Sequence, residues 1–200
     1  MQQILVIRGG EVFDTHEEYV QFLQDKKITL EDIRFNDWKK TLGEKLGENY
    51  DVLLPQMPNN YFAQFSEWKI IFEKIVHLLD DGVILIGTSL GGIFLAKYLS
   101  ENNFPKTIKA IFLLAPPYST RADSPLGDFI LTNDLSQLAQ KSDRIFIYQS
   151  KDDQVVPFSD CEKYMKLLSN AKLKVFTDRG HFRLKEFPEI IEDLKLISKD

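Results

Sequence analysis

Cysteine is nearly absent from this sequence: Cys161 is the only one in 200 residues. No intramolecular disulfide can form, and a cysteine-based metal centre is disfavoured. Cys161 is expected to be a small, partly buried helix side chain, consistent with a reducing compartment. Histidine is scarce too, with three copies, and none belongs to an H-E-x-x-H motif. Neither a G-x-G-x-x-G nor a G-x-x-x-x-G-K-[ST] loop occurs, so the expectation is an activity that needs no metal and no organic cofactor. Long apolar runs are also missing. None approaches the roughly 18 residues of a membrane span, and the N-terminal run Ile4–Ile7 is too short for a signal peptide and meets Arg8 at once. The net charge is −5 with both signs mixed along the chain. Without a basic stripe, nucleic acid and anionic membranes are poor partners. The expectation is a soluble, cytoplasmic protein acting on a small molecule.

What the sequence does contain is alternation. Apolar runs at Ile4–Ile7, Tyr50–Leu54, Val83–Ile86, Ala110–Leu114, Ile145–Tyr148 and Lys174–Phe176 lack strict polar interleaving. Strands covered on both faces have that composition. Between them lie segments of helical period. Phe65, Trp68, Ile71, Phe72, Ile75 and Leu79 form one stripe. Leu90–Leu99 follows the third strand directly, and Phe158–Leu168 and Phe187–Ile197 are two further helices. No repeat, low-complexity segment or linker interrupts the pattern. Strand–helix alternation predicts an α/β fold with helices on both faces of a parallel sheet. Ligands then bind at the carboxyl ends of the strands, so chemistry belongs in the loops that follow them.

After the third strand the chain reads Gly87-Thr88-Ser89-Leu90-Gly91-Gly92. This is G-x-S-x-G at a strand-to-helix turn, the arrangement that exposes a nucleophilic serine. Such a turn is tight and strained, and side chains two before and two after the serine would strike neighbouring backbone. The pattern is expected by chance roughly 0.03 times in a chain of this composition. Ser89 is therefore the predicted nucleophile.

The base follows by elimination. His16 lies in a Thr15–Glu18 capping box at the start of a helix, and His77 lies near the end of another, flanked by Val76 and Leu78. His181, in Phe176-Thr177-Asp178-Arg179-Gly180-His181-Phe182, follows the last strand, where a base can reach Ser89. The carboxylate that orients it should follow the fifth strand, in Ser150-Lys151-Asp152-Asp153-Gln154-Val155-Val156-Pro157. Asp153 fits the spacing to Val156-Pro157, with Asp152 as the alternative. The order Ser, Asp, His is that of α/β hydrolases. Acyl transfer also needs oxyanion donors. The expected pair is the backbone N–H of Leu90, after the nucleophile, and of Gly10, in the Arg8-Gly9-Gly10 loop.

These motifs resemble the small serine hydrolases related to retinoblastoma-binding protein nine and its bacterial relatives. The match also takes in Gln56-Met57-Pro58-Asn59 and Trp68, and so spans nearly the whole chain. The resemblance implies a compact α/β-hydrolase fold without a large lid: a single domain over 1–200, three layers, and a mostly parallel six-stranded sheet in the order 2-1-3-4-5-6. It also implies that the second aspartate of the pair, Asp153, serves the triad. Three features depart from the family pattern. Arg8 stands where many α/β hydrolases have the histidine of His-Gly. The stretch Glu11–Phe35 is longer than expected before the helix carrying Trp38. Around Cys161 no L-x-C-x-E signature is present, so binding of a pocket protein is not carried over.

The expected function is hydrolysis of a small ester, thioester or amide through an acyl-serine intermediate. The alternatives are a non-catalytic interaction module on the same scaffold and an acyltransferase. A dehalogenase would carry aspartate at position 89 and is disfavoured. Two segments are expected to shape the pocket. In Glu11–Phe35, an amphipathic helix would present Tyr19, Val20, Phe22 and Leu23. In Ala115–Arg144, a short helix is expected around Asp134–Gln140, with Phe129, Ile130 and Leu131 available as lining.

Overall fold

A computed structural model of the chain describes residues 1–121 and 124–198. Residues 122–123, inside the Ala115–Arg144 interval, and 199–200, at the end of the expected 1–200 domain, lie outside the described residues. Six strands form one sheet: β1 (Gln2–Ile7), β2 (Tyr50–Leu53), β3 (Val83–Thr88), β4 (Ile108–Leu114), β5 (Ile145–Ser150) and β6 (Ala171–Phe176). Every neighbouring pair is parallel, in the order β2-β1-β3-β4-β5-β6. The chain first winds outward from β1 to β2, then returns across β1 to β3 and winds the other way. Loops after β1 and β3 therefore diverge and leave a crevice at that end of the sheet.

The helices are α1 (His16–Asp25), α2 (Leu30–Arg34), α3 (Trp38–Leu46), α4 (Phe65–Val76), α5 (Leu90–Glu101), α6 (Ser136–Lys141), α7 (Phe158–Leu167) and α8 (Pro188–Ser198). Side-chain alternation along β1 and β3 sorts the core into two layers. Leu5, Ile7, Val83 and Leu85 face α4, α5, α6 and α7, while Ile4, Val6, Ile84 and Ile86 face α3 and α8. Apolar side chains are needed on both faces, so these strands read as continuous hydrophobic runs. The outer strand β6 starts three residues before the apolar run that marks it. Lys172 is exposed and Lys174 half-buried there, as befits an edge strand.

One sequence expectation is corrected here. Phe129 does not line a pocket; it is fully buried. Its ring centroid lies 5.3 Å from that of Trp68 and 5.8 Å from that of Phe65. The cause is local. The carboxylate of the preceding Asp128 accepts the N–H groups of Phe65 (2.7 Å) and Ser66 (3.1 Å), capping α4 and drawing Phe129 into the core. Ile130, by contrast, is exposed.

Candidate active site

Ser89 joins β3 to α5 with φ 54° and ψ −124°, a strained conformation for a residue with a side chain. Its surroundings hold it there. The Ser89 N–H donates to the Leu114 carbonyl (2.8 Å), and its own carbonyl accepts from Gly92 (2.8 Å). A Cβ on Gly87 would lie 2.7 Å from the carbonyl carbon of Gly91, and one on Gly91 would lie 2.6 Å from the Arg8 carbonyl oxygen. The elbow thus presses directly against the end of β1, and glycine at 87 and 91 is a steric requirement. The first turn of α5 points its free N–H groups and positive dipole end at this site.

The structure brings Ser89, His181 and Asp153 together. His181 Nε2 lies 2.9 Å from Ser89 Oγ, and its Nδ1 lies 2.8 Å from Asp153 Oδ2. The Asp153 side chain is fully buried, while about a quarter of His181 (23%) stays exposed. Four donors surround the carboxylate. Oδ1 accepts from Val155 N (2.8 Å) and Val156 N (3.0 Å), and Oδ2 accepts from Gln149 Nε2 (3.2 Å) and faces the imidazole. Asp152 points elsewhere: it accepts from the Ser150 hydroxyl and from Gly180 N. The Ser150 bond holds its carboxyl below the ordinary aspartate range, despite partial desolvation. His16 and His77 are both exposed, and neither lines the clefts around Ser89.

The histidine loop has its own anchor. The Trp38 indole donates to the Phe182 carbonyl (3.1 Å), and Trp38 N donates to Leu184 O (3.0 Å). Phe182 adopts φ 54° and packs between Phe176 and Phe187. A residue in that conformation persists only when its neighbours over-determine it; here an aromatic cluster does so.

Gly10 sits beside Ser89 and Leu90 at the mouth of a cleft of about 470 Å³. The Gly10 and Leu90 N–H groups donate to no acceptor among the described residues. The chain just after Gln56-Met57-Pro58-Asn59 holds this loop. The Pro58 carbonyl accepts from Trp68 Nε1 (2.8 Å), and Glu11 exchanges backbone hydrogen bonds with Asn60 and Ala63 (2.8 Å each). A Cβ on Gly10 would lie 2.5 Å from the Asn60 carbonyl.

The cleft beside Gly10 is walled by Val12, Phe13, Phe22, Leu126, Val155 and Val156. Helix α1 forms with its capping box and contributes Glu18, Gln21 and Phe22. Tyr19 instead stacks on Phe62 at 5.3 Å, and Val20 and Leu23 are exposed. Of the four apolar residues expected on that helix, only Phe22 reaches the cleft. Glu11 also lines it, and desolvation raises its carboxyl above the usual range, partly offset by Lys26 and His181. A second cleft of about 370 Å³ opens on the other side of Ser89, lined by Arg8, Lys39, His181 and Arg183 among others. Among the described residues, no cluster of three His, Cys, Asp or Glu side chains could hold a metal ion.

Sequence reasoning missed Gln149, which bridges Asp153 and the Val156 carbonyl (3.0 Å). A glutamine near the end of the largely apolar strand β5, four residues before the aspartate, was the available signal. It missed the Pro117 and Ser124–Leu126 walls as well, because nothing local marks them.

Known proteins are similar to this chain in sequence and in fold. The model of the family described as serine hydrolase covers residues 30–194. Serine hydrolase RBBP9 of Rattus norvegicus is 29% identical over 149 residues, 73% of this chain and 77% of the relative. YdeN of Bacillus subtilis (strain 168), which carries a hydrolase's name, is 25% identical over 156 residues, 74% of this chain and 78% of its own. The crystal structure of the B. subtilis ydeN gene product superposes over the full length of both chains, with a TM-score of 0.78 at 18% identity. A meta-cleavage product hydrolase, CumD, aligns with a TM-score of 0.66 over all of this chain and 91% of its own, at 13% identity. The fold is that of the α/β hydrolases, and the chain belongs to the serine hydrolase family as an enzyme of that class.

Proposed function

We propose that the enzyme cleaves a small ester, thioester or amide through an acyl-Ser89 intermediate, without metal or organic cofactor. The observation that carries this reading is the unbroken chain from Ser89 Oγ to His181 Nε2 (2.9 Å) and from His181 Nδ1 to Asp153 Oδ2 (2.8 Å). A buried carboxylate beside Nδ1 keeps the imidazole proton on that nitrogen, leaving the Nε2 lone pair to accept the serine proton. Ser89 then attacks the carbonyl, whose oxygen becomes negative and is met by the N–H groups of Leu90 and Gly10. His181 returns the proton to the departing oxygen, sulfur or nitrogen. A water activated by the same imidazole releases the acid and restores the hydroxyl. Asp153 stabilises the imidazolium without taking its proton.

The 470 Å³ cleft, with its apolar walls, suits a small acyl group. The test is Ser89→Ala. Little packing is lost with one hydroxyl, so the melting temperature should hold while kcat falls by several orders of magnitude. Reaction of wild type with a fluorophosphonate probe should be lost in the same variant. Undiminished turnover or labelling in purified Ser89→Ala would exclude Ser89 as nucleophile.

A further inference from the structure

The second cleft beside Ser89 differs from the first in charge. Glu11, Asp14 and Glu18 line the first, and among the described residues no cationic side chain does. Arg8, Lys39 and Arg183 line the second, with Asp37 as its one carboxylate. Arg183 is already committed, since Nη2 lies 2.6 Å from Asp32 Oδ1. Lys39 pairs with Asp37 at 3.0 Å and is buried beneath the Trp38 ring. The Arg8 side chain has neither ion pair nor hydrogen bond among the described residues, and its Nε is buried without a partner. Arg8 is also near enough to Lys39 to disfavour the lysine's charge, adding to the larger effect of burial. Lys39 thus takes the one carboxylate, and the buried Arg8 Nε–H is left without an acceptor, which is costly unless a ligand completes it.

Position assigns the cleft to one half of the substrate. His181 lines this cleft and not the first. The group that departs must receive its proton from His181, so it leaves on this side. Guanidinium is suited to planar or tetrahedral oxyanions, which it binds through paired N–H donors.

We propose that the cleft between Arg8, Lys39 and His181 receives an anionic group, a carboxylate or phosphate, carried on the leaving half of the substrate. This rests on the acyl-Ser89 reading above. In the first step the Ser89 oxygen–carbonyl bond forms and the bond to the leaving oxygen breaks, with His181 returning the proton to that oxygen. The anion departs unchanged with the alcohol, and water completes hydrolysis with no redox partner.

Matched acetate esters test the assignment: 4-acetoxybenzoate, its neutral near-isostere 4-acetoxybenzamide, and 4-acetoxyphenyl phosphate. Each kcat/KM is divided by that ester's rate with hydroxide to remove intrinsic reactivity. Wild type should prefer at least one anionic ester over the amide by about tenfold to a hundredfold, and the better of the two names the anion. Arg8→Gln should bring that ratio close to one, with Arg8→Lys retaining part of it. A wild-type ratio near one, or a ratio unchanged in Arg8→Gln, overturns the proposal. Should Arg8→Gln fail to fold, competitive inhibition of wild type by 4-hydroxybenzoate and by 4-hydroxyphenyl phosphate, each against 4-hydroxybenzamide, makes the same comparison. Equal inhibition by all three overturns it. Equal turnover of all esters with intact fluorophosphonate labelling removes the anion site alone. No turnover and no labelling removes the acyl-serine reading with it.

Discussion

Replacing Asp153 with asparagine exchanges one carboxylate oxygen for an NH2 group at a site where every acceptor position is taken. An ionised carboxyl offers about four lone-pair sites, and the four donors here are Val155 N, Val156 N, Gln149 Nε2 and the imidazole. In one orientation the new NH2 faces the two backbone N–H groups, which cannot turn away. In the other it faces Gln149 and His181, both of which can. Gln149 Oε1 is buried without a partner, so the glutamine amide can flip toward it, at the expense of the bond to Val156 O. His181 can move its proton to Nε2 and accept at Nδ1. The fold should therefore survive with a loss of about 1–3 kcal/mol from one buried hydrogen bond. Catalysis should not survive equally well, because Nε2 now presents a hydrogen to Ser89 and cannot act as base. The same exchange in a serine protease triad costs about 10⁴ in kcat, or about 5 kcal/mol of barrier. The assay is steady-state hydrolysis of a phenyl ester with fluorophosphonate labelling rates, for Asp153→Asn beside Asp152→Asn. Asp152 uses a single oxygen to accept from Ser150 and Gly180, a role an amide oxygen can keep, so its variant should lose less than about tenfold. Asp153→Asn within tenfold of wild type, or Asp152→Asn as the more damaging change, would refute this reasoning.

Gly91→Ala should lower the melting temperature, because its Cβ would overlap the Ile7 carbonyl oxygen and lie 2.6 Å from that of Arg8. Overpacking against immobile backbone costs about 1–3 kcal/mol, or roughly 2–12 °C for a chain of this size; an unchanged thermal melt would contradict it. Phe22→Ser should shift the chain-length preference of kcat/KM across a series of p-nitrophenyl esters, while Leu23→Ser should not. Phe22 lines the 470 Å³ cleft whereas Leu23 is exposed, so matching profiles for both variants would make α1 a surface decoration.

Much of the fold was legible because its rules are local. A strand buried on both faces must be apolar throughout, and β1, β3 and β4 announce themselves for that reason. The elbow was legible too, since its G-x-S-x-G pattern is contiguous in the chain, although the backbone that requires Gly91 belongs to the end of β1, more than 80 positions away. The edge strand β6 was half hidden by its lysines, and only packing separates Phe129 in the core from exposed Ile130 beside it. Asp152 and Asp153 are adjacent, and spacing alone could not say which reaches His181. That is decided by a turn whose Val155 and Val156 N–H groups claim the Asp153 carboxylate and point its other oxygen at the imidazole. The opposite charge of the two clefts was wholly beyond the sequence. Arg8 and Lys39 are 31 positions apart, and a backbone pattern with a period of two or 3.6 residues carries no information about such a pair. They meet because the crossover from β1 to β2 brings α3 alongside the carboxyl end of β1, and only the assembled sheet fixes that distance.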